Sequence, residues 1–244
     1  NSHQLLGDIA SAEACLEKEL MVSPDSAQAA VNLGWILEEQ NRVPEALMQY
    51  RKALYYNPNH PDLRWNHGLA CLMLGDYARG WRDYEFRWKA RNKQKPPLNS
   101  PEWKGDPLDN RSLLLYTEQG FGDSIMFLRF AQQLGRANDR ISLQCQPQLK
   151  RLFSAQPELE YVVANEEKLP SYDLQAPLMS LPHLLKLARE NSFHSQAYLS
   201  PDELSIAPIP AAKPDHKKVA FTWASAPHSE IQEKKSVPYQ KFCK

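Results

Sequence analysis

Residues 32–61 read NLGWILEEQNRVPEALMQYRKALYYNPNHP, and residues 66–92 read NHGLACLMLGDYARGWRDYEFRWKARN. Placed 34 residues apart, the two stretches match at registered positions: Leu33-Gly34 with His67-Gly68, Ala46 with Gly80, and Tyr50 with Tyr84. The same offset run backwards pairs Ala12 with Ala46, Leu16 with Tyr50, Pro24 with Pro58 and Gly7 with Asn41. Each match has a mechanical reason. Gly34 and Gly68 suit a crossing of two helices, where a side chain would hold the backbones apart. Ala12, Ala46 and Gly80 are the small residues facing them, and Leu16, Tyr50 and Tyr84 fill the wider space between successive hairpins. Asn41 and Gly75 suit turns that need positive φ. Pro44 and Pro61 suit first helical turns, and Asp76 suits an N-cap. The pattern predicts helices at about 4–20, 27–40, 44–57, 61–74 and 77–92.

Self-similarity with a period of 34 and this small-residue pattern is that of the tetratricopeptide repeat, TPR. Two full units, 27–60 and 61–94, follow the back half of another, giving an all-α array over residues 1–92. Hairpins of this type bury their apolar faces only by stacking, and about three are usually needed. With only two full units and half of another, the array is expected to extend upstream of Asn1. Its other end is expected to pack on the next domain, because Trp81, Tyr84, Phe86 and Trp88 make the last helix apolar on more than one side. A rival reading makes those aromatics a peptide-binding face.

The 244 residues carry 29 Lys plus Arg against 29 Asp plus Glu. The balance removes the long-range attraction that nucleic acid or an anionic bilayer requires. Cys15, Cys71, Cys145 and Cys243 have no paired spacing and read as free thiols in a reducing, cytoplasmic setting. No apolar run approaches the ~20 residues of a membrane-spanning helix, and no leader opens the chain. No histidine pair has metal-ligand spacing, and no metal or cofactor is expected.

Residues 93–110 hold four prolines and one strong anchor, Trp103, and read as a connection packed on its neighbours. Periodicity then changes. Ser112–Thr117 is a continuous apolar run, of the kind found in a sheet covered on both faces. It ends in Glu118-Gln119-Gly120-Phe121-Gly122-Asp123 and an amphipathic stretch from Ser124 to Leu134. Further strands are expected at 140–145, 161–163, 172–176 and 218–223, with helices at 147–154 and 181–189. Alternating strands and helices over 111–244 imply a three-layer, Rossmann-like α/β domain with a parallel, right-handed sheet.

The turn at 118–123 would then lie at the carboxyl edge of the sheet, where such folds bind ligands. Gly120 and Gly122 leave room for a sugar or phosphate, and the helix amino end offers unpaired N–H groups. Neither GxGxxG nor a P-loop is present. Asp123 admits two roles: a helix-capping carboxylate, or a general base for an acceptor hydroxyl. Glu118 is similarly either a substrate contact or a partner in an ion pair. His228, just after the fifth expected strand, faces the same edge. Lys234 and Lys235 are candidate phosphate contacts or a solvated pair. His183, His194 and His216 read as ordinary surface histidines.

At Pro101-Glu102-Trp103-Lys104-Gly105, Leu113–Asp123, Arg129-Phe130, Pro177–Pro182 and Val219–His228, the chain resembles a bacterial family in which TPR repeats precede a glycosyltransferase-like domain. That family is related to the heptosyltransferases. The resemblance implies the amino-terminal half of a GT-B fold, the half that mostly holds the acceptor. It implies transfer of a sugar from a nucleotide-sugar donor to a protein or glycan hydroxyl. Asp123 would be the base, Gly120 and Gly122 would lie by acceptor and diphosphate, and His228 would line the cleft. Two departures stand out. Ser225-Ala226-Pro227 replaces the usual small-residue and Asn element, and Lys234-Lys235 stands in place of an Arg-rich stretch. The chain also ends at Lys244 without a donor-side domain, so this fragment is expected to turn over slowly or not at all. The alternative is a non-catalytic TPR interaction scaffold. In either case the array is expected to dock a protein partner.

Overall fold

In the computed structural model the described residues are 2–92, 94–137, 140–188 and 198–199, with side chains from residue 8 onward. They fall within one compact unit, Asn1–Pro201. The expected strand at 218–223, His194 and His216 lie outside the described residues.

Helices α1 (Ser2–Val22), α2 (Ala27–Glu39), α3 (Val43–Tyr56) and α4 (Pro61–Met73) form antiparallel neighbours as the repeat requires. The punctuation behaves as the residue types dictate. Ser26 caps α2 by accepting from the Ala29 N–H at 3.3 Å. Pro44 and Pro61 stand in the first turns of α3 and α4. Asn41 and Gly75 close the hairpins with φ of 61° and 79°. A Cβ on Gly34 would collide with the Tyr50 ring, and one on Gly68 would stand 2.8 Å from the Tyr84 nitrogen. The absent side chains are what let the helices touch. Leu33, Leu37, Ala46, Tyr50 and Leu63 fill the core between them, each large side chain contributing about 1.5–3 kcal/mol of burial.

The last array helix departs from its expected span. It runs as α5 (Tyr77–Tyr84), opened by Asp76 accepting from the Arg79 N–H at 3.3 Å. It then breaks at Glu85-Phe86 and resumes as α6 (Arg87–Ala90). The break coincides with Arg87 entering the α/β layer. Trp81 meets the Phe127 ring edge-on at 5.7 Å and the Tyr84 ring at 5.9 Å. Tyr84 belongs to the same apolar cluster as the strands. Trp81 and Tyr84 therefore pack on the following layer, as expected for that end of the array.

That layer consists of β1 (Leu113–Tyr116), α7 (Phe121–Gly135), β2 (Ile141–Cys145), α8 (Pro147–Ser154), β3 (Tyr161–Ala164), β4 (Leu174–Pro177), a 3₁₀ turn (Leu178–Ser180) and α9 (Leu181–Leu184). All pairings are parallel, in the order β3-β2-β1-β4. Leu115 stands opposite Leu143 on one side and Ala176 on the other. Every residue of β1 is buried, as a strand covered on both faces demands. The connection over 94–110 is not merely laid on the surface. Trp103 donates its backbone N–H to the Gln175 carbonyl at 2.8 Å, and the Gln175 backbone N–H donates to the Pro101 carbonyl at 3.0 Å, so this stretch covers the outer edge of β4. α9 is shorter than the expected 181–189, because Lys186 at φ 54° turns the chain away after Leu185.

Candidate functional site

The strand order changes direction between β1 and β4. In open parallel sheets the crevice beyond the carboxyl ends of two such strands is the ligand position. Here an array side chain enters it. Arg87, 3% exposed, reaches Glu118 Oε1 through Nε at 2.9 Å and Nη2 at 2.7 Å. Nη2 also donates to Ser180 Oγ at 2.9 Å, and Nη1 to Glu85 Oε1 at 2.7 Å. Ser180 in turn donates to Glu85 Oε2 at 2.9 Å. Glu118 follows β1 and Ser180 follows β4, so one guanidinium ties both strand ends to the array. The Tyr84 and Trp88 rings flank it at 4.8 and 5.3 Å. Burial alone would lower the Arg87 pKa, but the charges of Glu85 and Glu118 outweigh it and raise it. The guanidinium therefore stays charged in its buried position. The space left between Arg87, Trp88, Arg91, Glu118 and Gln119 is about 10 Å³, close to the threshold for one water.

The turn itself is held from several sides. Gln119 donates from Nε2 to the Tyr84 hydroxyl at 2.9 Å, and Gln146 donates to the Gln119 carbonyl at 2.6 Å. Ser124 Oγ donates to the Gly120 carbonyl at 3.0 Å. Burial beside Glu118 and Asp123 pushes the Tyr84 phenol up to about 12, burial being the main cause. Tyr84 is therefore protonated near neutral pH.

The structure brings Glu118, Gly120, Gly122 and Asp123 together in this one turn. Glu118 faces Arg87. Asp123, at the third position of α7, accepts the Gly120 N–H through Oδ2 at 3.2 Å, which caps the helix. Asp123 is nonetheless half-exposed, and no described residue lies within 4 Å of a Cβ built on Gly122. The rim at Gly122-Asp123 is thus open while the crevice beside Glu118 is filled. His228, Lys234 and Lys235 lie outside the described residues. Among the described residues no cluster could hold a metal ion, and no helix is long and apolar enough to cross a membrane. Arg87 was not singled out by the sequence. An arginine between Tyr84 and Trp88 reads as a solvated charge, and its partner Glu118 lies 31 positions away. A signal was available in the cation among the aromatics Trp81, Tyr84, Phe86 and Trp88 of the expected 77–92 helix.

A second feature lies on the array. Leu20, Met21, Leu33, Ala53, Tyr55 and Tyr56 line a groove of about 490 Å³ between α1, α2 and α3. Tyr55 at its lip is 83% exposed.

The molecule is therefore a TPR-like helical array followed by a parallel α/β layer consistent with a Rossmann-like arrangement. A tetratricopeptide repeat family model matches residues 1–55. Protein FlbA of Caulobacter vibrioides is 26% identical over 157 residues, covering 61% of this chain and 26% of that protein. The peroxisomal targeting signal receptor of Candida albicans is 36% identical over 63 residues, covering 26% of this chain and 11% of the receptor. The chain thus spans about a quarter or less of the curated relatives it matches. Among solved structures, MamA MSR-1 C2 aligns at 20% identity and a TM-score of 0.30, over 37% of this chain and 52% of its own. A Thermobaculum terrenum O-GlcNAc transferase mutant aligns at 15% identity and a TM-score of 0.32, over 64% of this chain and 38% of its own. The repeat model agrees with the 34-residue period.

Proposed function

We propose that the array docks a protein partner and that the α/β layer is the acceptor-side, GT-B-type half of a nucleotide-sugar-dependent glycosyltransferase. The observation that carries this reading is the seam. Arg87 and Tyr84 of the array hold Glu118 and Gln119, so a partner seated on the array keeps a fixed position relative to Asp123. An acceptor hydroxyl at the open rim would give its proton to the Asp123 carboxylate. Its oxygen would bond to the anomeric carbon as the nucleoside diphosphate leaves with the electron pair of the broken bond. Gly120 and Gly122 keep the rim clear, and His228, Lys234 and Lys235 are the further candidate contacts. The buried, unpaired thiols Cys71 and Cys145 suit a reducing cytoplasm.

The test uses the native gene product that carries this chain. Asp123→Asn retains an oxygen to accept the Gly120 N–H and removes the base. Transfer to the acceptor, followed by intact mass, is expected to disappear while the melting temperature stays near wild type. Undiminished transfer would remove Asp123 from the mechanism.

The second reading is a non-catalytic interaction scaffold. The filling of the β1/β4 crevice by Arg87, and the use of Asp123 as a cap, favour it. In that case Asp123→Asn changes nothing, while Tyr55→Glu at the array groove abolishes partner binding.

A further inference from the structure

Between α5 and α9 lies another cavity, of about 280 Å³, that neither the array groove nor the 118–123 turn uses. Its apolar walls include Trp81, Leu184 and Leu187, and its polar lining includes Arg82, Lys104, His183 and Lys186. No carboxylate lines it among the described residues. Arg82 is engaged by Asp83 at 3.0 Å, and Lys104 leans on Glu102 at 3.1 Å. Glu102 is shared with Lys95, which leaves Lys104 only half neutralised. Among the described residues Lys186 has no ion-pair partner.

The backbone places these two lysines deliberately close to α9. Lys186 donates to the His183 carbonyl at 3.0 Å and Leu187 to the Pro182 carbonyl at 2.9 Å. This pair of bonds is a Schellman closure, whose left-handed position favours glycine. Lys186 occupies it with φ 54°. Lysine holds this position less easily than glycine would, and its side chain lines the cavity. Lys104 is set by its neighbour. Gly105 has φ 87°, and a Cβ there would stand 2.5 Å from the Leu184 carbonyl oxygen, so the turn presses directly on α9.

The geometry points to a binding site for a small anion on an apolar body: a phosphomonoester or carboxylate attached to about one aromatic ring. The volume lies just under the range typical of ligand pockets, about 300–1,000 Å³, which suits a ring-sized molecule and not a stretch of peptide. The ring lies against Trp81, Leu184 and Leu187. The anionic head meets Lys186, with Lys104 beside it, in surroundings that offer it no opposing carboxylate.

The test titrates the full chain with phenyl phosphate, benzoate and neutral benzyl alcohol, using calorimetry and the indole N–H resonance of Trp81. At least one anion is expected to saturate with a shift of that resonance, to bind about tenfold or more tightly than benzyl alcohol, and to weaken with added salt. The tighter of the two anions identifies the head group. Lys186→Gly relaxes the turn and so leaves the fold at least as stable, and Lys186→Gln keeps the turn and removes the charge. Both are expected to weaken anion binding about tenfold. The proposal is overturned if neither anion saturates, if benzyl alcohol binds equally well, or if both variants bind like wild type. None of these outcomes bears on the role of Asp123.

Discussion

Replacing Arg87 by methionine tests the seam energetically. Methionine keeps much of the apolar stem against Tyr84 and Trp88 but removes the guanidinium. Glu118, whose side chain is 7% exposed, then loses the guanidinium held against its Oε1, and Ser180 loses a donor. Breaking a buried pair from one side costs about 3–5 kcal/mol, and the partial exposure of Glu85 keeps its share of the loss small. The expected loss in urea unfolding is therefore about 3–4 kcal/mol. Arg87→Met with Glu118→Leu removes both charges and is expected to recover most of that loss, since apolar replacement of a buried pair is often neutral. The double-mutant cycle isolates the coupling. A loss below about 1 kcal/mol for the single variant, or a double variant no more stable than it, would refute the assignment of Arg87 and Glu118 as a buried, mutually dependent pair.

Three further outcomes are expected. Gly68→Ala places a Cβ 2.8–3.0 Å from backbone of Asp83, Tyr84 and Gly80, and should cost about 1–3 kcal/mol in thermal or urea melts; Gly122→Ala meets no described residue and should gain about 0.5–1 kcal/mol in the same melts. Burial would raise the pKa of Asp83, but hydrogen bonds from His67 and Arg82 and the charges of Arg82 and Arg64 outweigh it and hold it below its ordinary 3.8. Its contribution to stability is therefore complete above 3.8 and is lost as pH falls through the lower folded value, so Asp83→Asn should flatten the acid limb of a stability–pH curve. Burial pushes the thiols of Cys71 and Cys145 up to about 11, so mass spectrometry after alkylation at neutral pH should find exposed Cys15 modified ahead of these two, which react only on unfolding.

The array was legible because its signals are local. A helix crossing demands a small residue, a hairpin turn demands Asn or Gly, and Gly34, Asn41, Gly68 and Gly75 supply them at fixed spacing. Four strands were also legible, since continuous apolar runs such as Leu113–Tyr116 admit few other uses. The break at Glu85-Phe86 was not, because no nearby glycine or proline marks it, and the contacts Arg87 makes beyond it, to Glu118 and Ser180, join segments far apart in the sequence. The end of α9 was missed for a related reason: Lys186 takes a conformation for which its residue type gives no notice. At the candidate site, the open turn could be read from Gly120 and Gly122. Which carboxylate an arginine from the array would claim depended on packing between distant segments.

Arg87 ties the array to the α/β layer through Glu118 and Ser180, and this seam should hold the two at one separation. Spin labels at Met48 on α3 and Tyr161 at the start of β3, both exposed, allow the separation to be measured by pulsed dipolar spectroscopy. A single narrow distance in the wild type, broadened by Arg87→Met, is the expected result. A broad distribution in the wild type itself would contradict the claim.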